Sequence, residues 1–305
     1  ADTGAILYEK NSHKLQFPAS ITKVATALYA LTMKGDELDQ IIAADAESIA
    51  SVSEAAIRRS NYTLPSYYIE QGSCHIGIKK GEELKFSDLL YGMMLPSAND
   101  AANVIASFVS GSIPEFVKEL NVYVKTIGCK NTKFCNPHGL HHPEHMTTAF
   151  DMALITKEAL KEPFFKEVVK TARFTSPKTN KQEPTTLVQL NKLLRKNGRY
   201  YYDKAIGVKT GHTSLALNSF IGAATHENRT LIVVFLKTKE RNDIFGDAIN
   251  VFEKAFNESK VEKILISPGK QKFTLNHQDS NKPIQTYALK EVKIQYYPSE
   301  EPKIK

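Results

Sequence analysis

The sequence predicts an α+β fold: a helix-rich body around an antiparallel sheet, followed by a small β-rich C-terminal module. Three observations predict it. Apolar residues recur at helical spacing in several segments of the first 256 residues. Strong strand runs lie in residues 205–237 and are joined by the short hairpin His226-Glu-Asn-Arg229, which makes the pairing antiparallel. After about residue 258 the texture changes to short alternating runs broken by Pro, Gly and Asn. The expected domains are therefore 1–258 and 259–305. The 305 residues are enough for both to bury a core. With 42% hydrophobic and 24% charged residues, the chain is neither disordered, collagen-like nor a coiled coil.

In chain order, residues 4–9 alternate like a strand. The abrupt opening at Ala1-Asp2-Thr3-Gly4 leaves room for a first strand trimmed away with a targeting segment. Phe17-Pro18-Ala19-Ser20 opens a helix, with Pro where a first turn tolerates it. Ile21, Val24, Ala25, Leu28 and Leu31 follow on one buried stripe up to Gly35. Residues 41–87 mix short strands and turns. Residues 87–95 and 99–109 are helices separated by Pro96-Ser97-Ala98, and 114–128 is another. A His-rich loop covers 136–146, and residues 148–160 form a helix capped by Thr147 or Thr148. A Lys-rich polar stretch fills 175–204. The strand run of 205–210 continues through 218–225, and a second strand covers 230–237. The helix at 243–256 lines up Phe245, Ala248, Ile249, Phe252 and Phe256. Strands at 263–267, 272–275 and 292–297 make up the last module.

Forty Lys and Arg against 33 Asp and Glu give a net charge of 40 − 33 = +7. That excess favours an anionic neighbour such as an envelope surface and is too weak to imply nucleic acid. Cys74, Cys129 and Cys135 are too few for a disulfide framework. Cys129 and Cys135 are close enough in sequence to pair, and two buried thiols are an equal alternative. The longest apolar runs, such as residues 231–236, fall far short of the roughly 20 residues a membrane span needs.

The chemistry concentrates in three short motifs. Ser20-Ile-Thr-Lys23 lies at a helix N-terminus, Ser97-Ala98-Asn99 in a turn between helices, and Lys209-Thr210-Gly211 on a central strand. Singly they are a polar helix start, ordinary turn residues and a strand end. In this order, each on its expected element, they match the SxxK, SxN and KTG set of the penicillin-recognising serine enzymes. A serine hydroxyl needs a base, and residues three apart on a helix share a face, so the Lys23 amine reaches Ser20. Burial and the Lys209 ammonium both lower the Lys23 pKa toward a neutral, basic amine. Ser97 can relay a proton to the leaving group, and Asn99 can bond the substrate amide. Gly211 lets an extended peptide pair with the strand edge. The N–H groups of Ser20 and His212 form an oxyanion hole, worth ~3 kcal/mol per donor. Lys209 and Thr210 are placed to hold a terminal carboxylate.

The wording around these motifs resembles the low-molecular-weight penicillin-binding proteins, the D-alanyl-D-alanine carboxypeptidases of the S11 peptidase family, over residues 1 to about 258. It is carried by Pro18-Ala-Ser-Ile-Thr-Lys23, Leu95-Pro-Ser-Ala-Asn-Asp100, His138-Gly-Leu140, Asp151-Met-Ala-Leu154 and Gly207-Val-Lys-Thr-Gly-His-Thr213. The resemblance implies the β-lactamase/DD-peptidase-like fold with a helical subdomain. It implies an extracytoplasmic, periplasmic enzyme, inner-membrane associated at full length. That enzyme removes the terminal D-Ala of peptidoglycan stem pentapeptides through an acyl-serine and is acylated by β-lactams. Carried over residue by residue, Ser20 is the nucleophile, Lys23 the base, and Ser97 and Asn99 the second motif. Lys209, Thr210, Gly211 and His212 are the third. Asp151 is read as a helix-capping or structural residue.

Two departures stand out. Ile244 falls where the family often carries a carboxylate-binding Arg, so Arg241 substitutes or Lys209 and Thr210 act alone. The last module is short, and the amphipathic membrane anchor expected for the family is missing from this chain. No Glu-x-x-Leu-Asn pattern of the class A β-lactamases occurs, and the intact Ser20, Lys23 and Lys209 argue against a non-catalytic wall-binding protein. No cofactor is expected. Nor is a metal: Pro143 breaks the register of His138, His141, His142 and His145, and no Cys or Asp is seen to complete a tetrahedral set. The basic stretch 178–204 with Tyr200-Tyr-Tyr202 reads as a solvated surface suited to glycan or peptide before nucleic acid.

Overall fold

The computed structural model describes residues 1–240, 243–275 and 283–301. They form two compact units, one of residues 1–2 and 10–252, the other of residues 3–9 and from 253 onward.

The larger unit is built around one helix. A 3-10 turn, Ala19–Ile21, runs into α1 (Thr22–Lys34), and every residue from Thr22 to Leu31 is buried. A helix with small or apolar groups all round belongs inside, and α3 to α7 all pack near or against it. After α1 come β1 (Ile41–Ala43), β2 (Ser51–Val52), α2 (Glu54–Arg59), β3 (Ile69–Glu70) and β4 (Glu83–Lys85). β1 pairs antiparallel with β4, and β2 pairs parallel with β3. Next are α3 (Phe86–Met94), α4 (Asn99–Ser110) and α5 (Ile113–Thr126). Gly111 closes α4 at φ +77°, and the Ser112 hydroxyl caps α5 by accepting from Glu115 N–H. α6 (Ala149–Ala159) is capped by Thr148, whose Oγ1 accepts from Asp151 N–H at 3.1 Å. α7 (Pro163–Lys170) and the hairpin of β5 (Arg173–Ser176) with β6 (Thr185–Val188) follow. The main sheet is antiparallel in the order β7 (Ala205–Thr213), β8 (Leu217–His226), β9 (Arg229–Thr238). α6 packs on β9 and α7 on β7. Phe220 of β8 meets Phe245 of α8 (Asp243–Phe256) edge-on at 5.3 Å.

The smaller unit holds two antiparallel ladders. β10 (Val261–Ile266) pairs with β13 (Val292–Tyr296), and β11 (Gly269–Leu275) with β12 (Ile284–Ala288).

The α+β class and all the predicted helices are present, with three corrections. Residues 4–9 form no strand: they join none of the sheets among the described residues, and Ile6 and Tyr8 stay exposed. The run from 205 to 225 is two strands, because Ser214–Ala216 turns the chain back on itself and Thr213 Oγ1 accepts from Ala216 N–H at 3.0 Å. Residues 161–174, for which the sequence predicts no element, hold α7 and the start of β5, and the stretch read as Lys-rich and polar from 175 holds the end of β5 and all of β6. Phe165, Val168 and Val169 of α7 and Leu187 of β6 are buried. Among the described residues no helix is long and apolar enough to cross a membrane.

Candidate active site

Ser20 sits on the 3-10 turn at the mouth of α1 and is partly exposed, whereas Lys23, one turn on, is wholly buried. Three groups surround the Lys23 amine: Ser20 Oγ at 3.1 Å, Asn99 Oδ1 at 2.7 Å and the His138 carbonyl at 2.6 Å. Burial first, and then the charge of Lys209, holds Lys23 well below its usual range. Lys209 on β7 is also fully buried. Burial pushes it down to about 7, and its amine donates to the Thr210 carbonyl at 3.0 Å.

The second motif arrives from the α3–α4 connection. Asn99 opens α4, and its side-chain NH2 donates to Ser73 Oγ at 3.0 Å, which turns Oδ1 toward Lys23. Its backbone N–H donates to the Cys74 carbonyl at 2.8 Å, so segment 73–74 lines the same site. Ser97 is 2% exposed at φ +70°, and its hydroxyl has no hydrogen-bond partner. A buried hydroxyl with nothing to bond is open to a ligand.

The third motif lies on β7, an edge of the three-stranded sheet that pairs with no other strand than β8 among the described residues. A Cβ on Gly211 would stand 3.0 Å from Ser20 N and 3.1 Å from Pro18 O. Gly211 therefore lets the strand press against the turn that carries Ser20, a closer contact than the peptide approach expected of it. Thr210 is half-buried. His212 is exposed, with Nδ1 3.1 Å from Asn218 Oδ1. The structure thus brings Ser20, Lys23 and Asn99 into direct contact, with Lys209 close enough to act on the Lys23 charge. It gives Ser97 no bond to Lys23. Ile244 is buried in the core, 4% exposed, where it cannot meet a substrate, and Arg241 lies outside the described residues.

Several features here escaped the sequence. The His138 carbonyl, a backbone atom, carries no side-chain signature; only its HGL setting pointed to it. Around it, Thr26 Oγ1 donates to the Pro137 carbonyl at 2.6 Å and Gly139 N–H to Asn136 Oδ1 at 2.7 Å, so residues 136–139 are sewn onto α1. His138 and His145 are buried and neutral. Burial holds His138 well below 6.5 and takes His145 down to about 3. Asp151 accepts from Asn131 N–H and the Thr132 hydroxyl, the structural role expected.

The other candidates resolve differently. Cys135, His142 and Glu144 come within 4.8 Å of one another, so a thiol does approach the His-rich loop. However, Lys133 holds the Glu144 carboxylate at 2.9 Å. His142 Nδ1 accepts from Glu144 N–H at 3.2 Å, which leaves the ring proton on Nε2 and no free lone pair for an ion. The cysteines are unpaired, and burial pushes Cys129 up to about 12 and Cys135 to about 11. Tyr202 is buried against Phe252, and Tyr200 packs on Phe245. These two rings therefore serve α8 and make no open stacking platform.

Residues 1–240 match the D-alanyl-D-alanine carboxypeptidase family model, which is peptidase S11. The chain belongs to that family. Among curated relatives, the D-alanyl-D-alanine carboxypeptidase DacF of Bacillus subtilis is 33% identical over 89% of this chain and 67% of its own length. DacB2 of Mycobacterium tuberculosis is 30% identical over 84% and 79%. The chain spans only about half, 53%, of DacA of Haemophilus influenzae. Of solved structures, the DD-transpeptidase of Streptomyces K15 superposes with a TM-score of 0.68 at 27% identity, covering 82% of this chain and 92% of that one. An evolved penicillin-binding protein homologue from Mycobacterium tuberculosis gives 0.69 at 26%, covering 84% and 88%. The fold is thus that of the DD-peptidases.

Proposed function

We propose that the chain is a serine D-Ala-D-Ala carboxypeptidase that trims the terminal D-Ala from peptidoglycan stem pentapeptides through an acyl-Ser20 intermediate. One observation carries this reading. The Lys23 amine has two carbonyl acceptors, on Asn99 and His138, and one hydroxyl neighbour, Ser20. A neutral amine places its two hydrogens on the carbonyls, which leaves its lone pair for the Ser20 proton.

That geometry supports an acyl transfer in two stages. Lys23 takes the Ser20 proton as Oγ bonds to the carbonyl carbon of the penultimate D-Ala. The oxyanion is held by the N–H groups of Ser20 and His212. The proton then passes from Lys23 to the departing D-Ala nitrogen as the C–N bond breaks. Ser97, whose buried hydroxyl has no hydrogen-bond partner in the fold, is the relay once the substrate is in place. Water then hydrolyses the ester. The substrate carboxylate is held by Lys209 and Thr210, or by Arg241 in place of the family's Arg. Asn99 and the edge of β7, at Gly211, align the peptide. We read residues 259–305 as a separate β-rich domain without a part in the chemistry. We place the enzyme outside the cytoplasm, at the inner membrane in full-length form, with β-lactams as covalent ligands and no nucleic acid partner.

Intact-protein mass with benzylpenicillin tests this. A lasting increase of one penicillin mass is expected on the native chain and none on Ser20→Ala. A transient adduct would indicate a β-lactamase, and no adduct a binding protein. Label persisting on Ser20→Ala would remove Ser20 as nucleophile.

A further inference from the structure

Behind the nucleophile turn runs a line of hydrogen bonds that the proposed chemistry does not use. Cys135 N–H donates to His145 Nδ1 at 2.9 Å, so the ring proton lies on Nε2. Nε2 is 2.9 Å from Thr22 Oγ1 and donates to it. The Thr22 hydroxyl in turn gives its proton to the Ala19 carbonyl, also at 2.9 Å. Both side chains are buried, at 2% and 0% exposure, so the line is shielded from water.

The Ala19 carbonyl belongs to the same peptide unit as the Ser20 N–H, and in a trans peptide the two bonds point in opposite directions. Whatever fixes the carbonyl fixes the N–H. A hydrogen bond on the oxygen also polarises the unit and makes its N–H a stronger donor. The peptide needs holding, because Ala19 has φ +53°, a region side-chain-bearing residues seldom occupy. The backbone at Gly139 presses on it so closely that a Cβ there would stand 2.0 Å from Ala19 O.

We propose that His145 and Thr22 are positioning residues for the oxyanion hole, which aim and polarise the Ser20 N–H through the Ala19 carbonyl. This rests on the reading of Ser20 N–H as an oxyanion donor. Neither side chain touches substrate. Thr22 could bond Ala19 O as a purely local helix-start contact. His145, 123 residues away, turns that contact into a directed chain.

Rapid-mixing acylation by a penicillin, combined with isotope-edited infrared spectra of the acyl-enzyme carbonyl, tests the inference. Thr22→Val keeps the shape and removes the hydroxyl. It should slow acylation about tenfold, less than the roughly hundredfold or more seen when an oxyanion donor is lost outright. The non-covalent binding constant should hold, and the ester carbonyl band should move to higher frequency because its hydrogen bond weakens. Thr22→Ser should stay within about twofold of the native chain. His145→Ala should shift both readouts in the same direction and add little to Thr22→Val in the double variant, as expected for groups acting in series. His145→Gln, which can still accept from Cys135 and donate to Thr22, should recover most of the loss. A native rate and an unshifted band in Thr22→Val would overturn the inference, as would full additivity. If Thr22→Val does not fold, the His145→Ala and His145→Gln pair decides by the same two readouts. Failure of the proposed function looks different, since the native chain itself would then form no adduct.

Discussion

A lysine ammonium in water has three hydrogens and no lone pair, so Lys23 is a base only where the fold makes protonation costly. Two causes act together, burial and the Lys209 charge, and only the second can be removed by substitution without opening the core at Lys23. Lys209→Met should therefore let the Lys23 pKa rise. For acylation, activity is present above that pKa and lost below it, so the acidic limb of the pH–rate profile should move to higher pH, with a lower plateau from weaker carboxylate binding. In the native chain a second limb belongs to Lys209, which loses its charge as pH rises through about 7 in the free protein. The profile for kcat/KM should be a bell, and Lys209→Met should lose its alkaline side. Pre-steady-state acylation between pH 5 and 9 measures both limbs. An acidic limb that stays in place would show that Lys209 exerts no influence on Lys23.

At the scale of elements, the site depends on the segment around residue 139 lying flush against the start of α1. Gly139 makes this possible: it has φ +92° and no room for a side chain against Ala19. Gly139→Ala should destabilise the protein by about 2–4 kcal/mol, a backbone clash added to a left-handed conformation, and should cost acylation as well. Gly35→Ala, where nothing lies within 4 Å of the new methyl and φ is −58°, is the matched control and should be neutral or slightly stabilising. Urea denaturation of the two variants checks this, and equal midpoints would refute it. The same segment marks the boundary of what could be read from sequence. The α1 stripe, the cap at Thr148 and the three motifs were legible because each is a local pattern of side chains. The Lys23 bond to the His138 carbonyl, the press of Gly139 on Ala19 and the Thr22–His145 contact were not, because each joins groups more than a hundred positions apart. Likewise α7 is held by Phe165, Val168 and Val169 and the β5–β6 hairpin by Leu187, a few apolar residues among lysines and threonines. The turn dividing β7 from β8 lacks Gly and Pro, so the two strands read as one.

At the scale of the molecule, the two units differ in what stabilises them. The larger is organised around a helix buried on every side, and all the described site residues lie in it. The smaller consists of two-stranded ladders with Leu289, Tyr287 and Leu275 exposed at 94%, 65% and 60%, and isolated two-stranded pairs are marginal in water. Calorimetry should therefore resolve two transitions, the lower from the smaller unit. Benzylpenicillin should move only the upper one, because a ligand stabilises the unit that holds it. The upper transition should also respond to acid in a defined direction. His138 and His145 are held below their ordinary 6.5 in the folded unit. As pH falls below about 6.5 the unfolded chain takes up protons that the folded one refuses, and stability drops. Above 6.5 the two histidines are neutral in both states and contribute no slope. A single transition that shifts as a whole with penicillin would show the chain to unfold as one cooperative body. An upper transition unmoved between pH 7 and 5 would show that the buried histidines open to solvent in the native state.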